Sequence, residues 1–161
     1  MKRLMGLAGL TVLALTSSAC AQNTPDRSQD TAWINSQSLA LASLKASDGW
    51  QSMEKGLRWR RIAGNGSGKH PAVTDTVTLH YAGRLTDGTE FDSSYARNEP
   101  AIFPLEALIE AWQLAVPKMG IGDTIELAVP AELGYGPRGK GPIPGGATLL
   151  FKIELLGIEG A

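Results

Sequence analysis

Three segments of this 161-residue chain alternate apolar and polar side chains with a period of two, and that alternation leaves little choice of architecture. In residues 74–81, Val77, Leu79 and Tyr81 face one way, while Thr76, Thr78 and His80 face the other. Ile125, Leu127 and Val129 share a face in residues 124–129. So do Leu149, Phe151, Ile153 and Leu155 in residues 148–156, opposite Lys152 and Glu154. Successive side chains leave opposite sides of a strand, so each segment has one face to bury. Residues 57–60 alternate more briefly, ahead of the glycine-rich loop 64–68, and Asp87-Gly88 between residues 83–85 and 89–91 signals a hairpin.

One stretch carries the other periodicity. Leu105, Leu108, Ile109 and Trp112 recur at i, i+3, i+4 and i+7, which predicts a helix over residues 105–116 with a single apolar face. Pro104 suits its first turn and Pro117 stops its propagation. A Gly/Pro-rich loop over residues 134–146 precedes the last strand. The sum is an α+β chain: four or five antiparallel strands covered by one short helix, with one buried sheet face.

The N-terminus reads differently. Lys2 and Arg3 precede the apolar residues 4–15, and the small residues Ser17, Ser18 and Ala19 lead to Cys20. That is the order of a secretory signal, and it is too short to span a bilayer. Two processing routes fit. Ala19-Cys20-Ala21 suits a small-x-small cleavage that releases a chain starting at Gln22. Residues 17–20 also resemble a lipobox, with Ser17 where an aliphatic residue is usual, so that Cys20 would be diacylated. Cys20 is the only cysteine and has no internal disulfide partner, and its place at the end of the signal favours lipidation. The expected organisation is a signal peptide over 1–20, a tether with a short helix (residues 32–45, ended by Asp48-Gly49) over 21–50, and a folded domain over 51–161. The location that follows is outside the cytoplasm: free in the periplasm, or anchored to the outer membrane through Cys20.

Fifteen basic residues against sixteen acidic ones give a net charge of −1 with no basic run, which excludes a nucleic-acid footprint. Beyond Cys20 no cysteine remains for a nucleophile or cluster, and His70 and His80 lack metal-ligand spacing. His80, outward on its strand, reads as a satisfied surface residue. No nucleophile elbow, phosphate loop or dinucleotide fingerprint occurs. What remains is a set of aromatic residues on inner faces: Tyr81, Phe91, Trp112, Phe151, and Tyr135 in the glycine-rich loop. On spacing alone these read as core.

Four segments change that reading: Leu79-His80-Tyr81-Ala82-Gly83, Asp87-Gly88-Thr89-Glu90-Phe91-Asp92-Ser93-Ser94, Glu132-Leu133-Gly134-Tyr135-Gly136, and Ile143-Pro144-Gly145-Gly146-Ala147-Thr148-Leu149. Together they resemble, in order and with similar gaps, the signature of the FKBP (macrolide-binding) family of peptidyl-prolyl cis-trans isomerases, over residues 56–156. The resemblance implies a curved antiparallel sheet wrapped around one short helix and a hydrophobic prolyl pocket. Trp112 would be its floor, and Tyr81, Phe91, Phe103, Leu108, Ile109 and Phe151 its walls. Asp92 would sit at the rim and pair with Arg97, while Tyr135 and Ile143 would cover the ligand, with the Tyr135 hydroxyl and the Ile109 amide donating hydrogen bonds. Tyr81, Asp92, Trp112, Tyr135 and Phe151 are the implied catalytic set.

The implied partners are proline-containing polypeptides and macrolide inhibitors, with no cofactor or metal, and membrane contact only through lipidated Cys20. Ala101 stands where the family often has an aromatic residue, which thins one wall. Arg61 replaces a common aliphatic residue and predicts a bulge or an edge. The loop over 136–146 is too short for an inserted chaperone domain, and residues 21–50 allow one short helix but not long dimerising ones, so a monomer is expected. The rival reading is an FKBP-fold module that binds peptides or scaffolds the envelope with little catalysis.

Overall fold

The computed structural model describes residue 27 and residues 29–160; the expected signal peptide over 1–20 and Cys20 fall outside the described residues. In chain order the elements are α1 (Thr31–Ala42), β1 (Gln51–Ser52), β2 (Arg58–Ala63), β3 (Thr76–Leu85), β4 (Glu90–Ser93), β5 (Ala101–Pro104), α2 (Glu110–Ala115), β6 (Thr124–Val129) and β7 (Leu149–Ile158). All seven strands join one antiparallel sheet in the order β1-β2-β6-β7-β3-β4, with β5 also on β3.

The alternation of β3 runs its full length. Val77, Leu79, Tyr81 and Leu85 are buried on the inner face, as are Leu149, Phe151, Ile153 and Leu155 of β7. The two strands pair Leu79 with Leu155, Tyr81 with Ile153 and Gly83 with Phe151. Register shifts at Thr78/Leu79, Gly83/Arg84 and Arg61/Ala63 bend the sheet, because a bulge adds a residue to one strand and increases its local twist. The last of these bulges begins at Arg61, whose Nε lies 3.1 Å from buried Asp123. α2 fills the concave side, burying Ala111, Trp112 and Ala115.

The sheet has more strands than the four or five expected. β1 has two residues and β5 four, bounded by Pro100 and Pro104, so neither is long enough to display a period. β5 and β4 share one edge of β3: β5 pairs its first half and β4 its second. At the split, Ser94 repairs the ladder. Its N–H donates to the Tyr81 carbonyl at 2.9 Å, and its Oγ accepts the Tyr81 N–H at 2.7 Å.

The helix expected over 105–116 is not continuous. A 3₁₀ turn at Leu105–Ala107 is separated from α2 by an extended step, with Leu108 at φ −89°, ψ 170° and Ile109 at φ −58°, ψ 150°. The Gln113 side-chain amide donates to the Glu106 and Leu108 carbonyls at 3.1 and 2.8 Å. Those are backbone acceptors that an unbroken helix would have satisfied itself. The apolar spacing that predicted one helix therefore serves two destinations: Leu105 enters the core, whereas Leu108 and Ile109 turn to a pocket.

The helix expected over 32–45 is α1, twelve residues long and capped by Asp30, whose carboxylate accepts the Trp33 N–H at 3.0 Å. It ends at Ala42, and a 3₁₀ turn closed by left-handed Gly49 leads to the sheet. There Arg60 donates to the Asp48 carbonyl at 3.0 Å and lies over the Trp50 ring.

Candidate active site

Period-two geometry puts Tyr81 and Gly83 on the same face of β3, opposite Ile153 and Phe151 of β7. Gly83 is the residue that lets the rings close. A Cβ at this position would lie 2.6 Å from the Phe91 ring and 2.8 Å from that of Phe151. With no side chain there, Phe91 and Phe151 meet edge to face at 5.7 Å between centroids. Phe151 and Tyr81 likewise meet Trp112 edge to face, at 5.3 and 5.4 Å. Aromatic rings favour this arrangement because the positive edge of one faces the negative face of the next.

These rings bound a pocket of about 230 Å³ lined by Tyr81, Phe91, Asp92, Phe103, Leu108, Ile109, Trp112, Tyr135, Lys140 and Phe151. Its volume lies below the ~300–1,000 Å³ typical of drug-sized sites and suits a single small apolar group. Trp112 is 4% exposed at its base, and its indole N–H is buried with no hydrogen-bond partner. Two further hollows, of about 310 and 330 Å³, lack Tyr81, Phe91 and Trp112, although the second borders Phe151, Trp50 and Glu126.

At the rim three groups close a polar ring. The Tyr81 hydroxyl donates a short hydrogen bond to Asp92 Oδ2. Arg97 donates from Nη1 to Asp92 Oδ1 at 2.5 Å and from Nη2 to the Tyr81 hydroxyl at 3.1 Å. Arg97 reaches there from a tight turn, in which Asn98 takes a left-handed φ of 53° and its N–H donates to the Tyr95 carbonyl at 3.0 Å. Burial pushes the Asp92 carboxyl up, but the bonds from Tyr81 and Arg97 outweigh it and hold the group below the ordinary carboxylate value. Burial, then the bond to Asp92, pushes the Tyr81 phenol up. Burial, then the charge of Asp92, does the same for Tyr135. At neutral pH the site therefore holds one fixed anion and two protonated phenols.

Of the sequence-derived residues, Tyr81, Phe91, Asp92, Phe103, Leu108, Ile109, Trp112, Tyr135 and Phe151 all line this one pocket. Arg97 stands behind Asp92 rather than on the lining. Ile143 is not on the lining either; it is buried in the core, and its backbone exchanges hydrogen bonds with Lys140 at 2.9 and 3.0 Å. Lys140, unmarked in the sequence reading, does line the pocket, with its ammonium 5.6 Å from the centre of the Tyr135 ring. Nothing in its sequence surroundings signals that. Gly83 and Ser94 were missed as well, although a glycine on the inner face of a strand, two residues from Tyr81, does flag a close approach. His80 is satisfied on the outer face, bonded to Ser94 Oγ at 2.9 Å and stacked on Tyr95.

Comparison with known proteins agrees with this geometry. Residues 67–156 match the model of the FKBP-type peptidyl-prolyl cis-trans isomerase family. The FKBP-type 22 kDa peptidyl-prolyl cis-trans isomerase of Escherichia coli is 49% identical over 112 residues, which are 69% of this chain and 54% of that one. The outer membrane protein MIP of Legionella longbeachae is 41% identical over 122 residues, 75% of this chain and 52% of that one. The chain thus spans about half the length of the bacterial curated relatives it matches. A crystal structure of a peptidyl-prolyl cis-trans isomerase from Pseudomonas syringae superposes with a TM-score of 0.72 at 30% identity, covering 79% of this chain and 93% of that one. The sheet curved around a short helix and the ordered motifs that line its concave face have the same origin: this chain belongs to the FKBP-type peptidyl-prolyl cis-trans isomerase family.

Proposed function

We propose that the chain accelerates cis-trans isomerisation of X-Pro bonds in exported polypeptides, holding the prolyl ring among Trp112, Tyr81, Phe91 and Phe151 and using no cofactor. The observation that carries this reading is the convergence of edge-on rings around a pocket sized for one small apolar group. Rotation about an X-Pro bond faces a barrier of ~20 kcal/mol because resonance flattens the amide. At the twisted transition state that resonance is lost and the carbonyl is less polar. A dry aromatic pocket favours the less polar form, and lowering the barrier by ~7 kcal/mol gives roughly 10⁵-fold acceleration. In this scheme Tyr135 donates to the flanking peptide, Lys140 adds a cation at the mouth, and Asp92, anchored by Arg97, holds the Tyr81 phenol in orientation.

An envelope location is part of the proposal. It is supported by the charged, apolar and small-residue order ending at Cys20, and by a relative named as an outer membrane protein. A monomeric state and inhibition by FKBP-directed macrolides complete the reading. The test is a protease-coupled assay of X-Pro isomerisation on the wild type and a Trp112→Ala/Tyr81→Ala double variant. Catalysis that is blocked by a macrolide and lost in the folded variant supports the reading. A flat trace from folded wild-type protein overturns it and favours a peptide-binding module.

A further inference from the structure

We infer that α1 is a clamp on the pocket-covering loop, with Trp33 and Gln37 acting as positioning residues for the prolyl site; this rests on the reading of that site given above. α1 is unusual in what it buries. Gln37, at 4% exposed, is its one buried residue, whereas Leu39 and Ile34 are left exposed. A polar side chain is buried only with its hydrogen bonds made. Gln37 Nε2 donates to Ser36 Oγ within α1 at 3.1 Å, and the bonds that the Gln37 oxygens accept run to two segments that flank the pocket. Gln37 Oε1 accepts the Thr148 N–H at 3.0 Å and the Thr86 hydroxyl at 3.3 Å. The Gln37 carbonyl accepts the Thr148 hydroxyl at 3.3 Å. One turn earlier, the Trp33 indole N–H donates to the Gly145 carbonyl at 3.0 Å.

These partners are not remote from the chemistry. Thr86 starts the turn into β4, which carries Phe91 and Asp92. Gly145 precedes Gly146, whose N–H donates to the Gly136 carbonyl at 3.0 Å, next to Tyr135. The Tyr135 carbonyl in turn accepts the Gly139 N–H at 3.2 Å, ahead of Lys140. A continuous run of bonds thus leads from α1 to the two loop residues on the pocket lining. Trp33 also packs against the hydrophobic core, and a hollow of about 310 Å³ bordered by Ile34, Leu41 and Pro137 opens beside it, so the directed bonds add to a partial packed contact. The clamp therefore sets where Tyr135 and Lys140 stand, and with them the grip on the peptide beside the proline.

The test uses the full chain with Gln37→Met, which removes the acceptor at similar volume, Gln37→Glu, which keeps it, and Trp33→Phe. Wild type and variants are compared for kcat and KM on an X-Pro tetrapeptide, for the Kd of that peptide by NMR titration, and for amide exchange at Gly139 and Ile143. The clamp predicts that Gln37→Met and Trp33→Phe each raise KM and Kd by about fivefold, the factor set by the net worth of one hydrogen bond. It also predicts kcat within about twofold, because grip on the flanking peptide is shared by ground and transition states. Exchange at Gly139 and Ile143 quickens in both variants, and Gln37→Glu restores the wild-type values. Unchanged Kd and exchange in the folded variants, even with a lowered melting temperature, overturns the proposal by reducing α1 to a stabilising appendage. If the wild type shows no catalysis while Kd and exchange still respond, the clamp stands and the isomerase reading falls.

Discussion

Gly83 shows how little room the site leaves at the scale of one residue. Two ring edges occupy the volume that a methyl group would need, at 2.6 and 2.8 Å. Phe91 and Phe151 are held by strands on either side, so relief has to come from moving a pocket wall. Gly83→Ala is expected to destabilise the fold by ~1–3 kcal/mol, the usual range for overpacking. It should also lower kcat/KM by about tenfold, equivalent to ~1.4 kcal/mol of transition-state stabilisation. Urea unfolding and the peptide assay on the same preparation separate the two effects. A variant with wild-type kcat/KM would show that the Phe91–Phe151 contact is not part of the site.

At the scale of the element, the informative feature is the extended step before α2. Leu108 and Ile109 reach the pocket because the chain leaves helical geometry there, and Gln113 holds the break open by binding the Glu106 and Leu108 carbonyls. Gln113→Leu keeps the bulk but strips both bonds. We expect a loss of ~1–2 kcal/mol from the unmet acceptors, together with a weaker grip on the peptide, read as a higher KM. Equal stability and KM in wild type and variant would mean that the break is maintained by the flanking strands alone.

At the scale of the molecule, Asp123 knots together parts of the chain that are far apart in sequence. Its carboxylate is 3% exposed and accepts from the Gly120 N–H at 2.8 Å, the Gly66 N–H at 3.0 Å and Arg61 at 3.1 Å. Burial pushes it up, but these bonds dominate and hold it below the ordinary carboxylate value. A carboxyl whose folded pKa is depressed adds stability that is complete above its unfolded pKa, ~3.9, and is lost as pH falls through the folded value. Asp92 acts in the same sense. The stability curve is therefore expected to be flat from neutrality to about pH 5 and to drop below about pH 4. Asp123→Asn should lower the plateau by ~2–3 kcal/mol and make the acid drop shallower. Denaturant midpoints measured between pH 7 and pH 2 check both parts, and an unchanged acid limb would place the titration elsewhere.

What the sequence determined by itself was periodic or motif-borne. A period of two needs no partner to be seen, so the inward faces of β3, β6 and β7 were legible, as were the hairpin turn at Asp87-Gly88 and the ordered segments that carry Tyr81, Asp92 and Tyr135. Tertiary structure decided whatever depends on a neighbour distant in the chain. β5 is a strand because β3 offers an edge, not because of its four residues. The apolar spacing of residues 105–112 fits a helix equally well, and only the carbonyl partners offered by Gln113 and the pull of the pocket break it. Ile143 carried a family motif, yet packing buries it in the core and brings Lys140 to the lining instead. Gln37 reads as an ordinary polar residue on a weak helix. It became the buried anchor of α1 because the backbone of Thr148, 111 residues away, supplies the donor its side chain requires. Local pattern records what one face of the chain prefers, whereas hydrogen bonds and close approaches record what that face meets.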